Sequence, residues 1–185
     1  MGNTPSTPSS ATPGSSLRSQ ALTLAEQRNS LFSQSRAAYS SGKKADAKQL
    51  SDKAKALDAQ LKDLNAKAAA EIFHHHNHNR DLSEVDLHGL FVEEALHYVQ
   101  LHIQKCKSKG VKRTTLITGK GTNSVNGIAK IKPAVEELMQ KERIRMETDP
   151  KNSGVIILEL DSDHPGFGGW LGSMLSKVKS WFHRG

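Results

Sequence analysis

The chain has 185 residues, 36% of them hydrophobic, and 26 Lys and Arg against 19 Asp and Glu give a formal net charge of +7. That length admits one domain of ordinary size plus appendages, and the low apolar content leaves part of the chain unable to bury a core. A single cysteine, Cys106, excludes an intramolecular disulfide framework; no apolar run reaches the ~18 residues of a transmembrane helix, and no signal-peptide core is seen at the start.

Residues 1–16 are mostly Ser, Thr, Pro and Gly, a composition that predicts a disordered tail. Met1-Gly2-Asn3-Thr4-Pro5-Ser6 fits the N-myristoylation pattern, with Gly2 as acyl acceptor. A chance match in a Ser/Thr-rich tail is the plainer reading. Residues 17–41 read as a helix with Leu17, Ala21, Leu24, Ala25, Leu31, Phe32 and Tyr39 mostly on one side, and Ser41-Gly42 breaks it. A second helix is expected over about 43–72. There Leu50, Ala54, Leu57, Leu61, Leu64 and Ala68 alternate by four and three, a coiled-coil-like seam. The short break predicts an antiparallel hairpin, read as a packing or protein-binding appendage. His74-His75-His76-Asn77-His78 then reads as an exposed linker, completing a 17–80 segment, with at most incidental affinity for zinc or nickel.

From residue 84 to 161, strand and helix patterns alternate. Val85 and Leu87 point one way, Asp86 and His88 the other. A helix over 91–108 presents Val92, Ala95, Leu96, Val99, Ile103 and Cys106 inward and ends at Gly110. A strand at 114–118 leads through a loop, 119–127, to a helix over 128–142 with Ile128, Ile131, Val135, Leu138 and Met139 inward. Strands at 144–148 and 155–160 flank a turn-rich loop. The order βαβαββ predicts a two-layer α/β sandwich with a mixed sheet, preceded by the helical hairpin. Residues 162–185 read as a Gly-rich linker and an amphipathic C-terminal helix, in which Trp170, Leu171, Met174, Leu175, Val178, Trp181 and Phe182 recur at helical spacing. That helix docks on the rest of the protein or, with an acylated Gly2, lies in a membrane interface as the second of two anchoring signals.

In a βαβ unit both strands are parallel, so their carboxyl ends share one sheet edge, the edge where open α/β sheets bind ligands. Asp86 and His88 thereby meet Gly119-Lys120-Gly121. Gly119 and Gly121 permit positive φ and let backbone N–H groups approach an anion. Lys120 can neutralise a phosphate or charge developing in a transition state. His88 suits general acid–base work, with Asp86 orienting it or coordinating a divalent metal, and Ser124 adding a hydrogen bond. The spacing is not that of a Walker A loop. A divalent metal is one option for this set and no other cofactor is indicated; the only other nearby carboxylate for a two-metal mechanism is Glu84.

Charge is unevenly spread. Residues 17–73 hold 10 basic against 6 acidic side chains, and 81–161 hold 12 against 12. The α/β domain is therefore neutral, and any polyanion grip draws on its flanks. The basic run Lys105, Lys107, Lys109, Lys112 and Arg113 falls at the opposite sheet edge and reads as a solvated helix end.

Asp86-Leu87-His88-Gly89 and Gly119-Lys120-Gly121, followed by Ser124, Gly127 and Ile131-Lys132-Pro133-Ala134-Val135, resemble the small MutS-related (Smr) domain over roughly 82–161. Arg28, Ala38-Tyr39, Gly42, Ala47-Lys48, Leu50-Ser51 and Ile72-Phe73 resemble the domain of unknown function that often precedes Smr domains in eukaryotic proteins. The resemblance implies binding of RNA or structured DNA, and for some members endonuclease activity. It carries the Asp-x-His and Gly-x-Gly motifs onto Asp86, His88, Gly119 and Gly121, and Ser124 and Gly127 onto the nucleic-acid-binding loop. A non-catalytic binding module and a membrane-associated adaptor are the alternatives. A cytoplasmic location is expected, with the nucleus or, through acylated Gly2, a membrane surface as alternatives.

Overall fold

The computed structural model describes residues 12–160 except 123, 125 and 126. Gly2 and the expected helix around 170–182 lie outside these residues. The chain divides into two compact units, Met1–Glu71 and Ile72–Gly185.

The first unit is a helical hairpin. Helix α1 spans Ser15–Ser40 and α2 spans Lys44–Asn77. Helix α1 starts at Ser15, inside the segment expected to be a disordered tail, because Gly14 turns the chain at φ 72° and donates its N–H to Glu71 Oε2 at 3.1 Å. Gly42, at φ 79°, makes the reversal between the helices. The pairing is antiparallel: Arg18 reaches Asn65 Oδ1 at 2.6 Å, Arg28 reaches Asp58 Oδ1 at 2.7 Å, and Ser35 Oγ donates to Ala47 O at 2.7 Å. Ala21, Ala47, Ala54 and Ala68 are buried, while Leu50, Leu57, Leu61 and Leu64 are half-buried. Small residues thus occupy the closest positions of the seam. Tyr39, expected on the inner side, is 64% exposed in the last turn of α1.

The second unit begins within α2, whose last residues, Ile72–Asn77, belong to it. The His tract is therefore helical through His76 rather than a linker. Ile72 is buried, and Phe73 stacks on Tyr98 with ring centroids 3.8 Å apart and planes within 5°. These contacts reward helical continuation where composition suggests loop.

The α/β part follows the expected order: β1 (Glu84–Asp86), α3 (Val92–Ser108), β2 (Arg113–Ile117), α4 (Ile131–Lys141), β3 (Arg145–Thr148) and β4 (Val155–Glu159). The sheet order is β1-β2-β4-β3, with β1 parallel to β2 and the other pairs antiparallel. Helix α3 starts where the Glu94 carboxylate takes the Phe91 N–H at 2.8 Å. It ends in a Schellman motif: Gly110 at φ 69° donates to Lys107 O, and Val111 to Cys106 O. Val99, Ile103, Leu116, Val135, Met139, Ile156 and Leu158 are almost completely buried and form the core between helices and sheet. Helix α4 starts three residues later than the sequence suggests. Ile128 accordingly lies in the preceding loop, 58% exposed, not on the inner face.

Within this core α3 and β2 share a polar cluster. His102 Nε2 lies 2.7 Å from Thr114 Oγ1 and 3.4 Å from Cys106 Sγ, and the Thr114 hydroxyl donates to Leu82 O at 3.0 Å. Burial, helped by the charge of Lys105, lowers the pKa of His102 to about 4, and burial raises that of the Cys106 thiol.

Candidate functional site

Parallel register places Asp86 beside Ile117, and Leu87 N–H donates to Ile117 O at 2.8 Å. Both strands then run out on the same edge. His88 comes beside Gly119, where an added Cβ would lie 3.2 Å from that of His88. An open cleft of about 480 Å³ forms there, lined among others by His88, Phe91, Lys120, Gly121, Ser124 and Ile131.

Asp86 does not line this cleft. It is 5% exposed and lies beneath His88, with Oδ1 2.6 Å from His88 Nδ1 and accepting the His88 backbone N–H at 3.0 Å. An ionised carboxylate only accepts, so Nδ1 carries the hydrogen and the Nε2 lone pair is left for other partners. Arg80 Nη2 approaches Asp86 Oδ2 at 3.4 Å, and Arg80 also pairs with Glu84 and donates to His76 O. Glu84 is thus held by a guanidinium.

Backbone geometry fixes the strand end. The side-chain amide of Asn77 donates to Asp86 O and accepts the Asp86 N–H, each at 2.8 Å. On the other side Gly154 O accepts the N–H groups of Thr118 and Gly119 at 2.9 and 3.2 Å and the Thr118 hydroxyl at 3.0 Å. Gly119 therefore donates its amide to Gly154, and its contribution to the cleft is shape. A Cβ on Gly154 would come within 2.8 Å of the Gly119 carbonyl carbon, so only glycine fits there.

The Gly-Lys-Gly loop has the expected left-handed glycines, Gly119 at φ 75° and Gly121 at φ 79°. Gly121 O accepts from Ser124 N–H, and Ser124 O from Gly127 N–H, each at 2.9 Å. Ser124 faces the cleft. Gly127, at φ 65°, is not among its lining residues and acts in the loop backbone. Lys120 is exposed at the cleft. The basic run at the end of α3 enters β2 at Arg113, the end away from the cleft, as the strand direction requires.

Three contributors escaped the sequence reading: His76, Asn77 and Gly154. The His76 ring lies 4.0 Å from that of His88, tilted by 38°. Burial and the neighbouring His88 lower its pKa, partly offset by Asp86. His76, Asp86 and His88 offer metal-ligand atoms that all lie within 4.8 Å of one another. Of the tract, His76 thus comes near a carboxylate, and that carboxylate comes from a strand rather than from the tract.

Comparison with known proteins bears on the same residues. Residues 85–161 match the Smr domain, and residues 15–77 match a domain of unknown function, DUF1771. An Smr domain-containing protein of Schizosaccharomyces pombe is 34% identical over 145 residues, 78% of this chain and 70% of that protein. This chain belongs to the Smr-domain proteins. Endonuclease NBR9 of Saccharomyces cerevisiae is 41% identical over 135 residues. That alignment spans 73% of this chain and 56% of NBR9, so this Smr protein matches little more than half the length of that relative. A solution structure of the B3BP Smr domain is 31% identical, covering 99% of that domain and 54% of this chain with a TM-score of 0.44. Smr domains are a family of nucleic-acid-binding modules with endonuclease members. Asp86, His88 and the Gly119–Gly121 loop all fall inside the matched Smr region.

Proposed function

We propose that this Smr protein is an endonuclease module that cleaves phosphodiester bonds, with RNA favoured over structured DNA. The observation that carries this reading is the 2.6 Å contact between buried Asp86 and His88, at a cleft that also holds Lys120. A buried carboxylate that fixes the imidazole tautomer leaves Nε2 as a proton acceptor, the arrangement general-base chemistry needs. Glu84, the second carboxylate a two-metal mechanism calls for, is paired with Arg80, which favours the route through the RNA 2′-hydroxyl.

In that route His88 Nε2 takes the 2′-hydroxyl proton, the 2′-oxygen attacks the adjacent phosphorus, and the bond from phosphorus to the 5′-oxygen breaks. The proton taken by His88 returns to the leaving oxygen, directly or through water. The products are a 2′,3′-cyclic phosphate and a 5′-hydroxyl. Lys120 offsets charge on the non-bridging oxygens, and Ser124 supplies a hydrogen-bonding group at the same wall. Few aromatics flank the cleft, so backbone and shape recognition is expected rather than base readout. The surplus positive charge of residues 17–73 adds electrostatic attraction.

The test is incubation of the full chain with labelled structured RNA and branched DNA, with and without EDTA, beside Asp86→Asn and His88→Ala. RNA cleavage that survives EDTA, ends in cyclic phosphate and falls about 10²–10⁴-fold in both variants is expected. Asp86→Asn presents an amide that stabilises the wrong tautomer, so its binding should persist while its rate falls. Binding without cleavage by any of the three proteins would leave a non-catalytic module.

A further inference from the structure

We propose that His76, Asp86 and His88 form a binding site for a first-row transition-metal ion, Zn²⁺ foremost, and that metal binding there switches off the acid–base function of His88. The binding part stands on geometry alone; the switch rests on the endonuclease reading given above.

Two imidazoles and one carboxylate are a donor set suited to Zn²⁺, Co²⁺ or Ni²⁺ and poorly suited to Mg²⁺, which prefers an all-oxygen shell. Here their ligand atoms lie within 4.8 Å of one another before any side chain moves. Tetrahedral coordination at about 2.0–2.2 Å per bond requires donors roughly 3.3 Å apart, within reach of rotations of His76 and His88. Both are accessible enough to turn: His76 is half-buried and the His88 side chain is 48% exposed. The anchor is rigid. Asp86 is buried, and both of its backbone polar groups are held by Asn77. Arg80 approaches only Oδ2, at 3.4 Å; Oδ1 is held by His88 alone, through its backbone N–H and Nδ1, so an ion taking Oδ1 replaces the Nδ1 contact as the His88 ring turns.

Placement within the tract is selective. His74 and His75 are exposed on α2, and His78 follows its end; His74 and His78 stack on each other with centroids 5.8 Å apart. His76 instead packs its ring on that of His88, with centroids 4.0 Å apart. A coordinated His88 has spent a ring nitrogen on the ion and no longer shuttles a proton for the 2′-hydroxyl route. Three protein donors are also the number found where a metal keeps solvent or substrate as a further ligand.

The experiment is calorimetric titration of the chelator-treated full chain with Zn²⁺ and with Mg²⁺, and optical titration with Co²⁺. It compares wild type with His76→Ala, His76→Asn and the triple variant His74→Ala/His75→Ala/His78→Ala. Circular dichroism checks each fold. Wild type and the triple variant are expected to bind one Zn²⁺ per chain, and both His76 variants to bind it at least about tenfold more weakly, with no comparable Mg²⁺ binding. Absence of Zn²⁺ binding, or binding that survives in both His76 variants and disappears in the triple variant, overturns the site. In cleavage assays Zn²⁺ should inhibit wild type at concentrations at least about tenfold below those inhibiting His76→Ala. Stimulation by Zn²⁺ overturns the switch. Zn²⁺ binding as described without cleavage under any condition removes the endonuclease reading and leaves the metal site; chelator-resistant cleavage without Zn²⁺ binding does the reverse.

Discussion

The side chain of Asn77 makes with Asp86 the two backbone hydrogen bonds that a further strand would make, both at 2.8 Å. A helix end thereby caps the open edge of β1 at the residue that holds His88. Edge strands otherwise present unpaired N–H and C=O groups. The same amide also donates to Phe73 O at 2.9 Å, tying the clamp to the last turn of its own helix.

Asn77→Ala should therefore act on stability and on the site together. Removing the amide leaves two backbone groups of a buried residue without their partner, a cost of about 1–3 kcal/mol. Urea denaturation should report that loss. Single-turnover cleavage should slow while nucleic-acid affinity, measured by fluorescence anisotropy, changes little. Asn77→Asp is the informative control, since it keeps an acceptor for Asp86 N–H and loses the donor to Asp86 O. Unchanged stability in Asn77→Ala would mean that water replaces the clamp.

The loop glycines should separate into two kinds. An alanine Cβ at Gly121 would lie 2.5 Å from Ala129 Cα and 2.8 Å from the Ile128 carbonyl carbon, at a φ of 79°. Backbone must move, at a cost of roughly 2–4 kcal/mol from clash and left-handed strain combined. At Gly127 nothing lies within 4 Å of the new Cβ, so Gly127→Ala carries only the strain of φ 65°, about 1 kcal/mol. Thermal denaturation should rank them in that order, and loss of nucleic-acid binding should follow Gly121→Ala much more than Gly127→Ala.

Acid should destabilise the α/β unit through His102. An unfolded chain protonates this imidazole near 6.5, whereas burial delays it to about 4 in the fold. Between those values the unfolded state binds more protons, so stability is full above pH 6.5 and falls as pH drops toward 4. With the relation of 1.36 kcal/mol per unit, the loss approaches roughly 3 kcal/mol as an upper bound. Chemical denaturation of wild type at pH 7 and 4.5, beside His102→Gln, checks it. The variant should be weaker at pH 7 and show a shallower slope. Equal slopes would place the acid sensitivity elsewhere.

Much of the fold was legible because it rests on local periodicity. Alternation in Val85–His88, four-and-three spacing from Val92 to Cys106, and turn residues at 149–154 each belong to a short stretch of chain. Together with the handedness of a βαβ unit they bring Asp86, His88 and Gly119–Gly121 to one edge before any coordinates are known. The exposure of Tyr39 and Ile128 shows where periodicity ends: the apolar pattern of a helix face runs on in the sequence past the residues that the fold buries.

What the sequence determined by itself was the order of elements, the parallel β1–β2 pair and the meeting of the Asp-x-His and Gly-Lys-Gly segments. Tertiary structure decided how they are held. A polar tract became helix because Ile72 and Phe73 found a buried site and an aromatic partner, and that helix carried His76 to His88 and Asn77 to Asp86. Gly154 came under the Gly119 amide only because β4 inserts between β2 and β3. Periodicity records which face of an element is buried; the partner of an Asn, a His or a carbonyl is fixed by distances across the fold, and no local pattern contains them.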